Sequence, residues 1–97
     1  MQDLTGFQRD LLYVIKGLGE PNGLEVKSEL GGYYDEEINH GRLYPNLDTL
    51  VDKGLIEKGR VDKRTNYYTL TRRGRREIDA RKEWKQKFIS DTEVATN

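Results

Sequence analysis

The side chains able to do chemistry are few and unevenly placed. His40 is the sole histidine, Met1 the sole methionine, and cysteine is absent. Disulfides, thiolate metal sites and thiol redox switches are therefore excluded within the chain. No glycine-rich phosphate motif and no spaced set of metal ligands accompanies His40, so neither an enzyme nor a cofactor or metal site is expected. The acidic run Asp35-Glu36-Glu37 could in principle hold a cation, but three adjacent carboxylates in a turn more often face solvent. What remains is hydrogen-bonding and cationic. Asn39, His40, Gly41, Arg42, Tyr44 and Asn46 fall within two helical turns, and Lys63, Arg64, Thr65 and Asn66 fall together in one polar stretch. Arginine pairs bidentately with guanine and asparagine with adenine, while lysine and arginine neutralise phosphates. A glycine such as Gly41 lets backbone approach a phosphate closely.

The distribution of charge agrees with a polyanionic partner. The net charge is zero, yet residues 1–52 carry 4 basic and 10 acidic side chains, whereas residues 53–87 carry 13 basic and 5 acidic ones. Segregation of this size gives a basic surface fed by the second half of the chain. For residues 72–87 alone, a solvated, charge-laced helix is an equally good reading.

The elements that must position these groups are legible from spacing. Thr5 with Gln8 forms a capping box, and Phe7, Leu11, Val14, Ile15 and Leu18 recur at helical intervals before Gly19 ends the run. Leu4, Leu12 and Tyr13 lie off that stripe, a surplus that could face a second subunit. Asn22 with Glu25 opens a short helix from Gly23 to Leu30, which Gly31 and Gly32 stop. Asn39 caps a third helix whose apolar face is Leu43, Leu47, Leu50 and Val51, closed by Lys53-Gly54. Pro45 within it costs ~3 kcal/mol relative to alanine unless it lies near the helix start or at a kink. Residues 55–61 and 66–70 read as a β-hairpin joined by Asp62 to Thr65, a tip without glycine and so of at least four residues. Thr71 caps a last helix with an interrupted stripe of Ile78, Ala80, Trp84 and Phe88, and the polar residues 90–97 fray.

Three helices, a hairpin and a fourth helix form the winged variant of the helix-turn-helix: a mainly α fold with a small β-hairpin. Residues 1–70 make the winged domain, 71–89 a C-terminal helix suited to dimerisation, and 90–97 a disordered tail. In this architecture the third helix enters the major groove and the wing meets phosphates or the minor groove. His40 in isolation reads better as a surface residue, Lys63 and Arg64 could be ordinary turn charges, and Tyr44 reads equally as core or contact. Their joint placement at helix start and wing tip favours double-stranded DNA. The alternative is a winged helix used as a protein-interaction module, since fold alone does not fix function. No run is long and apolar enough to span a membrane, and residues 1–10 lack the pattern of a signal peptide, so a cytoplasmic protein is expected.

The stretches LYPNLDTLVDKGLIEKG and YYTLTRRGRREI closely resemble the PadR family of transcriptional regulators. The matching positions are Tyr44-Pro45, Leu47, Leu50, Gly54-Leu55 and the pattern from Tyr68 to Gly74, and the resemblance runs from about Leu4 to Phe88. LTGFQRDLLYVIKGL and HGRLYPNLDTLVDKG are most similar to haloarchaeal members. The resemblance implies a homodimer on a roughly palindromic operator, most often a repressor. It further implies that the single C-terminal helix packs with the first helix across the dimer, through Phe7, Leu11, Leu12, Ile78, Arg81, Trp84 and Phe88, with packing inside the same chain as the alternative for Ile78. No composition points to an effector pocket.

Overall fold

In the computed structural model, which describes residues 1–60, 62 and 64–95 (without the side chains of 90–95), the chain order is three helices, a hairpin and a long fourth helix. Helix α1 (Gly6–Leu18) starts at the expected box: Thr5 Oγ1 accepts from the Gln8 N–H at 3.2 Å, and the Thr5 N–H donates to Gln8 Oε1 at 3.1 Å. Gly19, at φ 88°, closes it with an N–H to the Ile15 carbonyl. Helix α2 (Gly23–Tyr34) opens on the matching Asn22–Glu25 box. It does not stop at the two glycines. Gly31 and Gly32 are helical, and the turn comes at Asp35, which adopts the left-handed φ of 56° and gives its N–H to the Gly31 carbonyl. Aspartate tolerates that conformation because its short polar side chain bonds locally. The longer helix carries Tyr33 and Tyr34, and Tyr34 reaches back to α1.

Helix α3 (His40–Asp52) holds Pro45 in its second turn. Proline has no N–H for the Gly41 carbonyl four residues back, but Gly41 and Pro45 are both exposed, so water can serve that oxygen. Strands β1 (Ile56–Arg60) and β2 (Asn66–Leu70) pair antiparallel, from Ile56↔Leu70 to Arg60↔Asn66. The Tyr68 N–H bonds the Pro21 carbonyl at 2.9 Å and Asn22 bridges Tyr67, so the α1–α2 loop lies along β2.

Helix α4 (Arg72–Ala95) is anchored at its start, where Thr71 Oγ1 accepts from the Gly74 N–H and donates to the Gly54 carbonyl. Gly74 is buried there, and a Cβ would collide with the Leu55 carbonyl. The helix continues to Ala95, through residues expected to fray. At 1.5 Å per residue its 24 residues span ~36 Å, which accounts for the longest dimension of 55 Å.

One core joins all elements: Leu4, Phe7, Leu11, Leu12 and Ile15 of the first segment, Val26 and Leu30 of α2, Ile38, the α3 face of Leu43, Leu47 and Leu50, the hairpin residues Leu55, Ile56 and Tyr68, and Ile78 of α4. This corrects two expectations. Of the surplus, Leu4 and Leu12 are buried within the chain and Tyr13 packs against its core, and Leu11, which the resemblance gave to the interface, has no exposed surface at all. Phe7 and Ile78 are buried there too, and a side chain covered in one copy adds no area to a contact with another.

Candidate nucleic-acid interface

The start of α3 is set by Asn39, whose Oδ1 accepts from the Gly41 N–H at 2.6 Å. That explains Gly41 locally, because a Cβ would sit 2.9 Å from the same oxygen. From this start the helix presents two different flanks. His40 and Tyr44, one turn apart with their rings edge to face at 5.5 Å, point toward the wing. Tyr44 is half-buried against the core and lies on Gly23, where a Cβ would come within 2.6 Å of its hydroxyl. The ambiguity of Tyr44 thus resolves into packing at the edge of the site.

Arg42 and Asn46 point the other way, toward α1. The Arg42 guanidinium lies 4.0 Å from the Phe7 ring centre, 5.9 Å from that of Tyr34, and 3.7 Å from a Glu36 carboxylate oxygen. Both amide atoms of Asn46 are engaged within the chain: Oδ1 accepts from the buried Gln8 side chain at 2.9 Å, and Nδ2 donates to the Arg42 carbonyl at 2.6 Å. The Tyr34 hydroxyl donates to Asp10 at 2.5 Å; burial, then that carboxylate, push its pKa up to about 12. The acidic turn is likewise engaged in pairs, Glu36 with Arg42 and Glu37 with Lys27 at 3.6 Å. Among the described residues no cluster of His, Asp or Glu could hold a metal ion.

The wing tip is shaped by Asp62, whose carboxylate accepts from the N–H groups of Arg64 and Thr65, each at 2.8 Å. These two backbone bonds hold its pKa below the usual carboxylate value. Lys63 lies outside the described residues. The turn carries Arg64, Thr65 and Asn66 to the same cavity as His40 and Tyr44, completed by Tyr68 and by Asn22, Gly23 and Leu24 at the start of α2. The structure therefore brings together His40, Tyr44, Arg64, Thr65 and Asn66, and leaves Arg42 and Asn46 on the opposite flank. The α2 start and Tyr68 were not expected at the site. Their signals, a capping box and a strand alternation, give local structure only, and the Asn22–Tyr67 bridge that joins them is between residues 45 positions apart.

On α4, Trp84 and Phe88 are 55% and 57% exposed. Their rings meet edge to face at 5.2 Å, and the Arg81 guanidinium stands 5.8 Å from the Trp84 ring. Among the described residues no helix is long and apolar enough to cross a membrane.

The model of the PadR-like transcriptional regulator family matches residues 11–80. The chain belongs to this family. It is a PadR-like, winged-helix transcriptional regulator, and its family is one of regulators, not enzymes. Haloarchaeal RosR, a PadR-type regulator, is similar over most of its length. The H. salinarum RosR structure grown from NaBr is 52% identical, covering 89% of this chain and 77% of its own at a TM-score of 0.85. A RosR complex matches at 43% identity over 99% of this chain and 97% of its own, with a TM-score of 0.84. FabT of Streptococcus pneumoniae, solved in complex with DNA, shares the fold at 22% identity and a TM-score of 0.76, over 94% of this chain and 61% of its own. No curated protein matches the sequence.

Proposed function

We propose that this PadR-like regulator is a cytoplasmic homodimer that binds a roughly palindromic operator in double-stranded DNA and represses transcription. The reading rests above all on one arrangement: His40 at the start of α3 and Arg64 at the wing tip line a single cavity. A reading helix and a wing that face the same way can engage a major groove and the adjacent backbone together. His40 and the Gly41 backbone then meet bases and phosphates at the helix start, and Lys63, Arg64, Thr65 and Asn66 meet the sugar-phosphate backbone. Asn39 caps the helix, Tyr44 sets its distance from α2, and Arg42 and Asn46 brace it against α1. The similarity to haloarchaeal RosR supports an archaeal setting. Homodimerisation falls to α4, where the exposed Trp84 and Phe88, one turn apart and flanked by Arg81, form an apolar patch that a second copy would cover.

The test is the affinity for the protein's own promoter at several salt concentrations, with the molar mass followed by light scattering. Each neutralised phosphate contributes about −0.9 to the slope of log affinity against log salt. A dimer with a steep negative slope is expected. Binding that ignores salt, or no binding, would return the fold to its other use, as a protein-interaction module. Alanine at both Trp84 and Phe88 should give a monomer with weakened operator binding; an unchanged dimer would place the interface elsewhere.

A further inference from the structure

The cavity between α2, α3 and the wing has a floor that winged-helix topology alone does not explain. Its volume is about 410 Å³, and none of its lining residues is acidic. Tyr68 is only 1% exposed, yet its hydroxyl makes no hydrogen bond among the described residues. Every fully enclosed side-chain nitrogen or oxygen among those residues is bonded, so this hydroxyl opens to the cavity that Tyr68 lines. Burial, with Asp48 and Tyr44 nearby, raises its pKa, which keeps the proton on the oxygen and makes it a donor. Asp48 itself is engaged by Lys58 at 3.6 Å. A second set of donors comes from the opening turn of α2. Asn22 satisfies the Glu25 side of its capping box, but the Gly23 and Leu24 N–H groups have no partner among the described residues. Arg64 supplies a positive charge on the opposite wall.

Donors therefore converge from three elements, backed by a helix N-terminus whose dipole favours an anion. Gly23 adds the clearance: with Tyr44 lying on it, any Cβ would crowd the mouth. A base edge offers both donors and acceptors, whereas a phosphate offers acceptors alone, which is what these groups can satisfy.

We propose that this cavity is a seat for one phosphate group of the DNA backbone in each half-site, with the Tyr68 hydroxyl at its floor, the α2 N–H groups at one wall and Arg64 at the other. This rests on the DNA-binding reading and assigns a role to a residue and a helix end that reading did not use. The seat fixes the register of α3 along the groove, since a single bound phosphate defines where the reading helix enters.

The experiment is a methylphosphonate scan of an operator duplex, using the full chain, in which one backbone charge at a time is removed. One position per half-site should lower wild-type affinity about tenfold, the size of one charge-assisted hydrogen bond. Tyr68→Phe and Arg64→Gln should each weaken binding to the unmodified duplex and lose sensitivity at that same position, with thermal unfolding unchanged. If both variants keep the full wild-type scan, the seat is wrong while DNA binding stands. Inorganic phosphate, titrated without DNA against chloride at matched ionic strength, separates the two sources of the anion. Following the His40 ring resonances, no saturable shift together with the coupled scan supports the DNA backbone as occupant. A saturable shift that Arg64→Gln abolishes, with no coupling in the scan, would overturn it in favour of a free phosphate ligand. The titration needs no operator, so it reports on the cavity even where promoter binding fails.

Discussion

The two flanks of α3 begin two residues apart, at His40 and Arg42, and are built for different work. Toward the wing, His40 and Tyr44 border open space, and the groups around them are donors and cations with few internal partners. Toward α1, Arg42 pairs with Glu36 and lies over Phe7, Asn46 bonds through both amide atoms, and the neighbouring aromatic rings of Phe7 and Tyr34 are packed 6.1 Å apart. A reading helix must be both held and available. This chain separates those demands by face, so residue type alone, arginine or asparagine included, does not mark which flank reads.

The sharpest way to break the comparison is at Asn46, the residue with the most internal bonds of the four. Asn46→Ala removes the acceptor for the Gln8 side-chain N–H, and Gln8 is only 9% exposed. A buried donor without a partner costs ~1–3 kcal/mol. The variant should lose stability on that scale in a urea titration and retain the base preference of the wild type. A preference altered at one adenine, with stability unchanged, would move Asn46 to the reading flank.

Arg42 gives a smaller effect of the same kind. Its guanidinium over Phe7, in a half-exposed setting, contributes ~0.5–1 kcal/mol, and the ion pair with Glu36 contributes little because both side chains are exposed. Arg42→Ala should therefore weaken folding by about 1 kcal/mol and affect all operator variants alike. A loss confined to one G·C pair, ~1–3 kcal/mol in size, would mean that the guanidinium leaves Phe7 and Glu36 when DNA binds.

These flanks also mark how far the sequence could be read. Element order, the caps at Thr5, Asn22 and Asn39, the hairpin and the family motifs were all legible, because each is a local pattern. The end of α2 was not: Gly31-Gly32 resembles a stop, but the helix goes on because Tyr34 gains a hydrogen bond to Asp10 and a ring contact with Phe7. Tertiary contacts of this sort override propensity. At the site, spacing placed His40, Arg42, Tyr44 and Asn46 on one helix but did not separate the faces, since all four lie outside the Leu43, Leu47 and Leu50 stripe and only packing against α1 or the wing divides them. The same holds for Leu11 and Leu12. Leu12 read as surplus to so small a core and Leu11 entered the interface only through the family resemblance, and the docking of α4 and β2 on α1 uses them instead.

The smallest effects come from pH, which addresses the flanks separately. On the α1 side, the Tyr34 pKa is pushed from its ordinary value of 10.0 up to about 12, owing to burial first and Asp10 second. Its pKa is raised by folding, so its contribution is complete below the unfolded value near 10 and disappears as pH rises through 12. On the wing side, the Asp62 pKa is depressed by the Arg64 and Thr65 N–H bonds. That contribution is complete above the ordinary carboxylate value and disappears as pH falls through the lower, folded one. Alkali should thus reduce the urea midpoint, with one tyrosine titrating late in the tyrosinate absorbance, while leaving the wing-tip amides protected. Acid should instead lower the protection of the Arg64 and Thr65 amides relative to their intrinsic exchange rates and leave the packing of Tyr34 against Phe7 intact. Because Asp62 is fully exposed, its loss frees the wing tip without unfolding the domain, so operator affinity should decline in acid before stability does. If both flanks responded together at either extreme, α3 would be coupling them, and the division of labour between its faces would be false.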